Sequence, residues 1–375
     1  MRIKVKAGAH SRFLCPLEIP LEADLPASFY LKEMHSGLLL SAQCEDYGGI
    51  KKMVFLLPFL DSGDELVFEL VEKEAEEKVR IERKEDRLDI LLSDVLLTSY
   101  HIASSFPRPF LYPLYGPDGI PVTRNYPMAE VEGESKDHKH HRSLWVAHGD
   151  VNGVDNWSEE EGHGRQLHRE FLDVRNGVVR GRILEKLEWV DAEGRKVLEE
   201  EREISFYNLL SPLRIIDFRI CFTATEGDVV FGDTKEGGIL SIRVASEMEG
   251  SRGGRIENSY GGVGEKETWG KRAQWCDYSG IVRGKKLGIA VLDHPCNFRH
   301  PTYWHVRDYG LFTANPFGVS YFTGNPQNRG DFRLVKNGKL EFRYRLLIHK
   351  GNAKEAKVEE HFLNYSYPPE IEVEK

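Results

Sequence analysis

The sequence predicts an all-β fold. Three observations carry this reading: strict period-two alternation in several long segments, turn-forming residues between them, and no helix-period pattern of convincing length. The clearest strand is RIIDFRICFTA. Ile216, Phe218, Ile220 and Phe222 share one face, and Asp217 and Arg219 take the other. KLEFRYRLLIHKG repeats the pattern, with Leu340, Phe342, Tyr344, Leu346 and Ile348 opposite Glu341, Arg343 and Arg345. Such alternation marks half-buried antiparallel strands. Turns are expected at DAEG from Asp191, KNGK from Lys336 and GPDG from Gly116.

The first 70 or so residues read as a small β domain built on IKVKAG, FLCPLEIPL and MVFLLPFL. The segment LDSGDELVFELVEKE leads into the charged stretch Glu72 to Arg87, and a new strand series starts near Val79. The expected division is 1–80 for the small domain and 81–375 for a large β domain. The larger part exceeds an ordinary two-sheet sandwich of about 100 residues, so a larger double-sheet architecture is expected, with chemistry on its loops. The tail NYSYPPEIEVEK is expected to be a loose terminus.

Composition excludes some function classes. With 375 residues, 40% hydrophobic and 30% charged, the chain can bury a sizeable core and still face water. A net charge of −9 argues against general nucleic-acid binding, which needs a basic face. The most apolar run, Met53 to Leu60, is too short for the roughly 20 residues of a membrane span and contains a proline. No membrane partner and a cytoplasmic location are therefore expected, and a homo-oligomer is compatible with the sequence. Cys15, Cys44, Cys221, Cys276 and Cys296 are odd in number and lack any C-x-x-C spacing, so neither a disulfide framework nor a cysteine zinc site is indicated.

Histidine placement is the sharpest functional signal. His138, His140, His141, His148, His163 and His168 crowd one stretch, and His294, His300 and His305 another; together they are nine of fourteen. Neutral imidazole binds divalent metals and also titrates near neutrality, which suits it to acid–base work. No spacing matches H-E-x-x-H, so any metal site must be assembled from distant segments. A single histidine is more often structural or solvent-facing than a ligand, and the polar neighbours of His141, His168, His294 and His305 are what single those four out. In FGDTKEGG, Asp233, Lys235 and Glu236 sit on a Gly-rich bend that suits a substrate or metal site, or an ordinary β-bulge with a surface ion pair. GDVNGVDNW has calcium-loop composition without the ligand order, and turn chemistry from Asp150, Asn152 and Gly153 accounts for it.

The strings RPFLYPLYGPDGIPVTRNYPM, HHRSLWVAHGDVNGVDNW, FGDTKEGG and HPTYWHVRDYGLFTANPFG, spanning roughly Arg108 to Gly318, resemble the PmoA-type family of uncharacterised soluble proteins. The methane-oxygenase activity in that label does not suit a chain without spanning helices. The resemblance implies a galactose-mutarotase-like supersandwich preceded by a small β-sandwich-like domain. It also implies a sugar or polyol substrate and a role in oxidised-carbohydrate or inositol breakdown. One implied activity is ring-opening hydrolysis of a diketo-inositol to a keto-gluconate. A carbon–carbon hydrolase needs activated water and a stabilised enolate, which a divalent metal ion can supply. On that reading His141, His168, His294 and Glu236 are the metal ligands, and His305 moves the proton together with Glu236 and His141. Arg124, Lys235, Arg307 and Asp233 bind substrate. The alternatives are a metal-free mutarotase, epimerase or lyase, and a non-catalytic carbohydrate-binding protein.

Overall fold

A computed structural model describes residues 1–22, 24–47 and 49–374. The two segments with the cleanest alternation become the strands Leu213–Thr223 and Lys339–Lys350, and they pair with each other. Their apolar faces coincide: Ile216 sits opposite Leu346, Phe218 opposite Tyr344, and Ile220 opposite Phe342, all in the main core. Burying each large apolar side chain there contributes about 1.5–3 kcal/mol.

These strands are central in one eight-stranded antiparallel sheet. Its order is Arg165–Arg175, Arg180–Val190, Lys196–Tyr207, Leu213–Thr223, Lys339–Lys350, Lys285–Asp293, Trp275–Val282, Arg255–Asn258. A second eight-stranded sheet packs against it through the same core, in the order Tyr303–Val306, Leu311–Asn315, Gly237–Arg243, Leu144–His148, Phe110–Leu114, Val95–His101, Arg87–Leu92, Val79–Arg83. The molecule is thus all-β with two large facing sheets. Among the described residues no helix is long and apolar enough to cross a membrane.

Residues before Val79 supply six strands of a separate seven-stranded antiparallel sheet around its own apolar core, which includes Ile3, Val5, Phe29, Phe55 and Phe68. The chain end departs from the expected loose terminus. Glu370–Glu374 pairs along the whole of Arg2–Lys6 and completes this sheet, because its Glu/Ile alternation offers partners to the first strand's lysines and apolar residues. The preceding helix, Val358–Ser366, buries Val358, His361 and Phe362 at i, i+3 and i+4. Glu359 and Glu360 in its first turn complement the helix dipole.

Gln43 ties the small sheet to the large ones. Its Oε1 accepts the backbone N–H groups of Val179 (2.7 Å) and Arg180 (3.0 Å), and its Nε2 donates to the Arg180 carbonyl (2.8 Å). The Arg180 guanidinium then grips Glu45 through two hydrogen bonds of 3.1 and 2.7 Å.

Candidate functional site

The second large sheet, which begins at Tyr303–Val306, carries one continuous cross-strand row on the face that points away from the core. Register places His101, Phe110, Trp145, Ser241, Thr313 and His305 side by side on six strands. Their chain neighbours Tyr100, Leu144, Val146, Leu240, Phe312, Trp304 and Val306 point into the main core. Strand alternation therefore commits this row to the opposite face.

Loops complete the site. The run from Asp137 to His141 folds back over Trp145, with the His141 ring stacked 5.4 Å from the indole. His138 lies parallel to both His141 (4.7 Å) and Tyr309 (5.1 Å). His140 meets His141 edge-on at 4.4 Å and Trp157 at 5.9 Å. Beneath these rings is Arg243, fully buried, which donates to His141 Nδ1 (3.2 Å), Ser135 Oγ (3.1 Å) and Asp137 Oδ1 (2.9 Å). Its guanidinium also stands 4.9 Å from the Tyr309 ring centre.

The two buried histidines of the site hold opposite tautomers. Arginine only donates, so His141 Nδ1 accepts and the neutral ring carries its proton on Nε2. That Nε2 is buried and has no hydrogen-bond partner among the described residues. His305 Nδ1 sits 2.7 Å from the Lys235 carbonyl, which only accepts, so Nδ1 carries the proton and Nε2 presents a lone pair. This Nε2 is likewise buried and unpartnered among the described residues. Burial keeps both rings neutral. It pushes His141 well below the usual histidine range, helped by the fields of His140, Arg243 and His138. It pushes His305 down to about 4, against the pull of the Lys235 carbonyl and the Glu236 charge.

The Gly-rich bend delivers the remaining groups. Asn315 is buried and donates to the carbonyls of Thr234 (3.0 Å), Lys235 (3.3 Å) and Gly237 (3.2 Å), so one side chain shapes the whole turn. Gly238 has φ +143°, and a Cβ there would stand 2.0 Å from Thr313 Oγ1. Lys235 and Glu236 form an ion pair at the solvent edge. The Glu236 charge acts on His305, His140 and Tyr309 together. Tyr309 stays protonated, pushed up to about 12 by burial although Arg307 and Arg243 pull it down.

The structure thus gathers His141, His305, Glu236, Lys235 and Arg307 around one region. Arg307 leans on Tyr309 at 5.5 Å and pairs with Glu265 at 2.9 Å. Four expected site residues lie elsewhere or are engaged, and each is a correction. Arg124 is buried with its donors spent on Asp137, Ser135 and the carbonyls of Tyr126 and His138, so it positions the histidine loop and has no donor free for a ligand in these contacts. Asp233 accepts the backbone N–H groups of Ser320 (3.1 Å) and Gly330 (2.9 Å) and fixes that loop. His168 is on the other large sheet, its Nδ1 2.7 Å from Glu185 Oε2, in a buried network with Tyr100 and Arg202. His294 packs against Tyr365 at 4.9 Å, beside the C-terminal helix. The ligand set His141, His168, His294 and Glu236 therefore does not converge, and among the described residues no three His, Cys, Asp or Glu side chains form a metal-holding group.

Sequence reading missed Arg243, Asp137, Asn315 and Tyr309. Arg243 had a signal: it occupies a strand position that alternation turns away from the core, so a buried arginine there needs an anion. Asp137 is that anion. Burial would raise its carboxyl, but the hydrogen bond from His138 and the charges of Arg243 and Arg124 hold it far below the usual range. GDVNGVDNW proves to be turn chemistry, with Asp150 accepting from Gly153 N (2.9 Å) and Asp155 from Trp157 N (2.7 Å).

Among solved structures, the chain is similar to an alpha-galactosidase from Lactobacillus brevis (9% identity, TM-score 0.33, 74% of this chain and 40% of that one). It is similar also to a galactose 1-epimerase from Lactobacillus acidophilus NCFM (10% identity, TM-score 0.33, 74% and 100%). A third is a GalM/aldose epimerase homologue from C. elegans (8% identity, TM-score 0.30, 73% and 99%). Likeness at that level assigns no chemistry to this chain. Comparison with curated proteins gives no match. A family model described as a family of unknown function, DUF6807, matches residues 87–363, which take in the row, the histidine loop and the Gly-rich bend. The chain belongs to that family.

Proposed function

We propose that this protein is an enzyme of sugar or polyol metabolism that works by metal-independent proton transfer, of the mutarotase or epimerase kind. The complementary tautomers of His141 and His305 carry the reading. His305 Nε2 is a desolvated base within the field of Glu236. His141 Nε2–H is a neutral donor, and Arg243 behind Nδ1 sharpens its acidity and fixes its tautomer. A base that takes a hydroxyl or carbon-acid proton, opposite a donor that stabilises the resulting oxyanion, is a recurrent arrangement for proton transfer on carbonyl substrates. Trp145 and His305 are three strands apart, so their Cα atoms are separated by roughly 14 Å at about 4.8 Å per strand, with both side chains rising from the same face. His141 is stacked on Trp145 at the far side of that span from His305. Lys235, Arg307 and Glu236 rim it and supply hydroxyl partners.

Ring-opening hydrolysis of a diketo-inositol is the finer alternative. It uses the same base to activate water and the same donor on the enolate oxygen. The test is a panel of aldoses, ketoses and keto-inositols. Polarimetry and proton NMR in D2O follow epimerisation, and a pH-stat follows acid release by hydrolysis. Turnover should survive EDTA and fall about 100-fold or more in His305→Ala and His141→Ala. Undiminished turnover in His305→Ala, or no turnover across the panel, refutes the proposal; acid release without epimerisation selects the hydrolase.

A further inference from the structure

A cleft of about 500 Å³ opens between the N-terminal sheet and the outward face of the first large sheet, the one that begins at Arg165–Arg175; residues of the C-terminal segment close one end. It lies on a different sheet from His141 and His305. Two cross-strand rows build its floor. Glu203, Arg219 and Arg343 form one, and Ser205, Asp217 and Arg345 the other. These positions are the polar halves of the alternating strands, and nothing in core packing asks for so many charges there.

The charges are unevenly matched. Arg345 is 4% exposed, and its Nε and Nη2 both bind Asp217 at 2.7 Å. Its Nη1 is buried without a hydrogen-bond partner among the described residues. Arg219 and Arg343 share a single carboxylate, each donating from Nε to Glu341 at 2.7 Å. Both guanidinium groups thus draw on one carboxylate for their hydrogen bonds, and the Nη groups of Arg219 make no hydrogen bond among the described residues. Glu203 has only a long contact of 3.9 Å to Arg182 and no hydrogen bond among the described residues. His294 borders the same cleft. It accepts the Cys296 N–H on Nδ1 at 3.1 Å, which leaves Nε2–H as a donor.

We propose that this cleft is a second binding site, for a sugar acid: a small polyhydroxylated carboxylate. Arg219 and Arg343 present the planar donors that a carboxylate takes. Glu203 and the Arg345 Nη1 group, one accepting and one donating, meet hydroxyls. A neutral sugar leaves the paired Arg219 Nη donors without the planar acceptor they fit, and a simple carboxylate leaves Glu203 and Arg345 unmatched, so both parts of the ligand are required. The site does not rest on the acid–base reading above, and binding is measured without turnover.

The test is calorimetric titration of the full chain with D-gluconate, and with D-glucose and acetate as the two halves of the probe. Gluconate should bind, with glucose and acetate each at least about tenfold weaker. Arg219 and Arg343 are 37% and 48% exposed, so substitution there leaves the fold intact. Arg219→Ala and Arg343→Ala should each weaken gluconate about tenfold. Glu203→Gln should weaken it too, and His141→Asn should leave it unchanged. Absence of gluconate binding at millimolar concentration overturns the proposal, as does loss of binding in His141→Asn with retention in both arginine variants.

Discussion

Replacing His361 with leucine should make the protein more resistant to acid. The ring is fully buried in the C-terminal helix, 5.8 Å from the Phe13 ring, and neither nitrogen has a hydrogen-bond partner among the described residues. Burial, reinforced by the charges of Arg345, His349 and Lys357, pushes its pKa down to about 3. In the unfolded chain the same ring titrates near the ordinary value of about 6.5. Below that pH the unfolded state binds a proton that the folded state refuses, so stability is lost as pH falls from about 6.5 toward 3. At pH 4.5 the gap amounts to about two pK units, which is on the order of 3 kcal/mol. Leucine removes this penalty and also the unpartnered polar atoms, while keeping similar volume. Urea unfolding at pH 7.5, 6.0 and 4.5, followed by tryptophan fluorescence, measures it. The stability difference between variant and wild type should widen by about 2–3 kcal/mol between pH 7.5 and 4.5. Parallel pH profiles for the two proteins would refute the buried neutral ring. His148 and His305, each held near 4 mainly by burial, leave acid sensitivity in the variant.

Three further outcomes follow from particular contacts. Gly238→Ala places a methyl 2.0 Å from Thr313 Oγ1 and 2.7 Å from the Ala314 carbonyl, so it should cost more than about 3 kcal/mol in thermal or urea unfolding. Gln43→Leu strands the N–H groups of Val179 and Arg180 and should lower stability by about 2–4 kcal/mol, with earlier proteolysis around residue 75 as the readout of a loosened small sheet. Asp137→Ala removes the anion shared by the buried Arg124 and Arg243 and should cost about 3–5 kcal/mol; Asp137→Glu, which keeps the charge, should recover part of it in the same unfolding assay.

The strands were legible because burial on one face writes itself as period two. Ile216 to Phe222 and Leu340 to Ile348 are read off the chain, and their mutual pairing follows from matching apolar faces. The C-terminal helix was not legible: over nine residues it buries Val358, His361, Phe362 and Asn364, and only two of these are apolar, too few to set a period. The last strand was missed for a different reason. Its partner, Arg2–Lys6, is at the other end of the chain, and edge pairing of exposed strands leaves no apolar run to find. For the site, histidine clustering pointed to the right loops but could not sort their members. His141 and His168 look alike in sequence. Only the tertiary partners separate them, Arg243 in one case and Glu185 in the other.

The same logic explains why buried arginines mark this site better than its histidines do. A guanidinium taken from water must find an anion and several acceptors, since the effective penalty is several kcal/mol per ion. Arg124 and Arg243 meet that demand jointly on Asp137 and the Ser135 side chain. Their satisfaction fixes the 135–138 turn, and with it the rings of His138 and His141. Once the turn is fixed through Nη2, Arg243 Nη1 points at His141, and His141 Nδ1 accepts from it at 3.2 Å. The proton on the buried, unpartnered Nε2 is thus a consequence of charge balance two residues deep. Arg243→Lys tests this chain of causes: a point charge can still pair with Asp137 but cannot span to His141 Nδ1 as well. The fold should therefore survive, and nitrogen-15 NMR should show the His141 tautomer preference lost. A retained Nε2–H tautomer in that variant would mean that something other than Arg243 sets it.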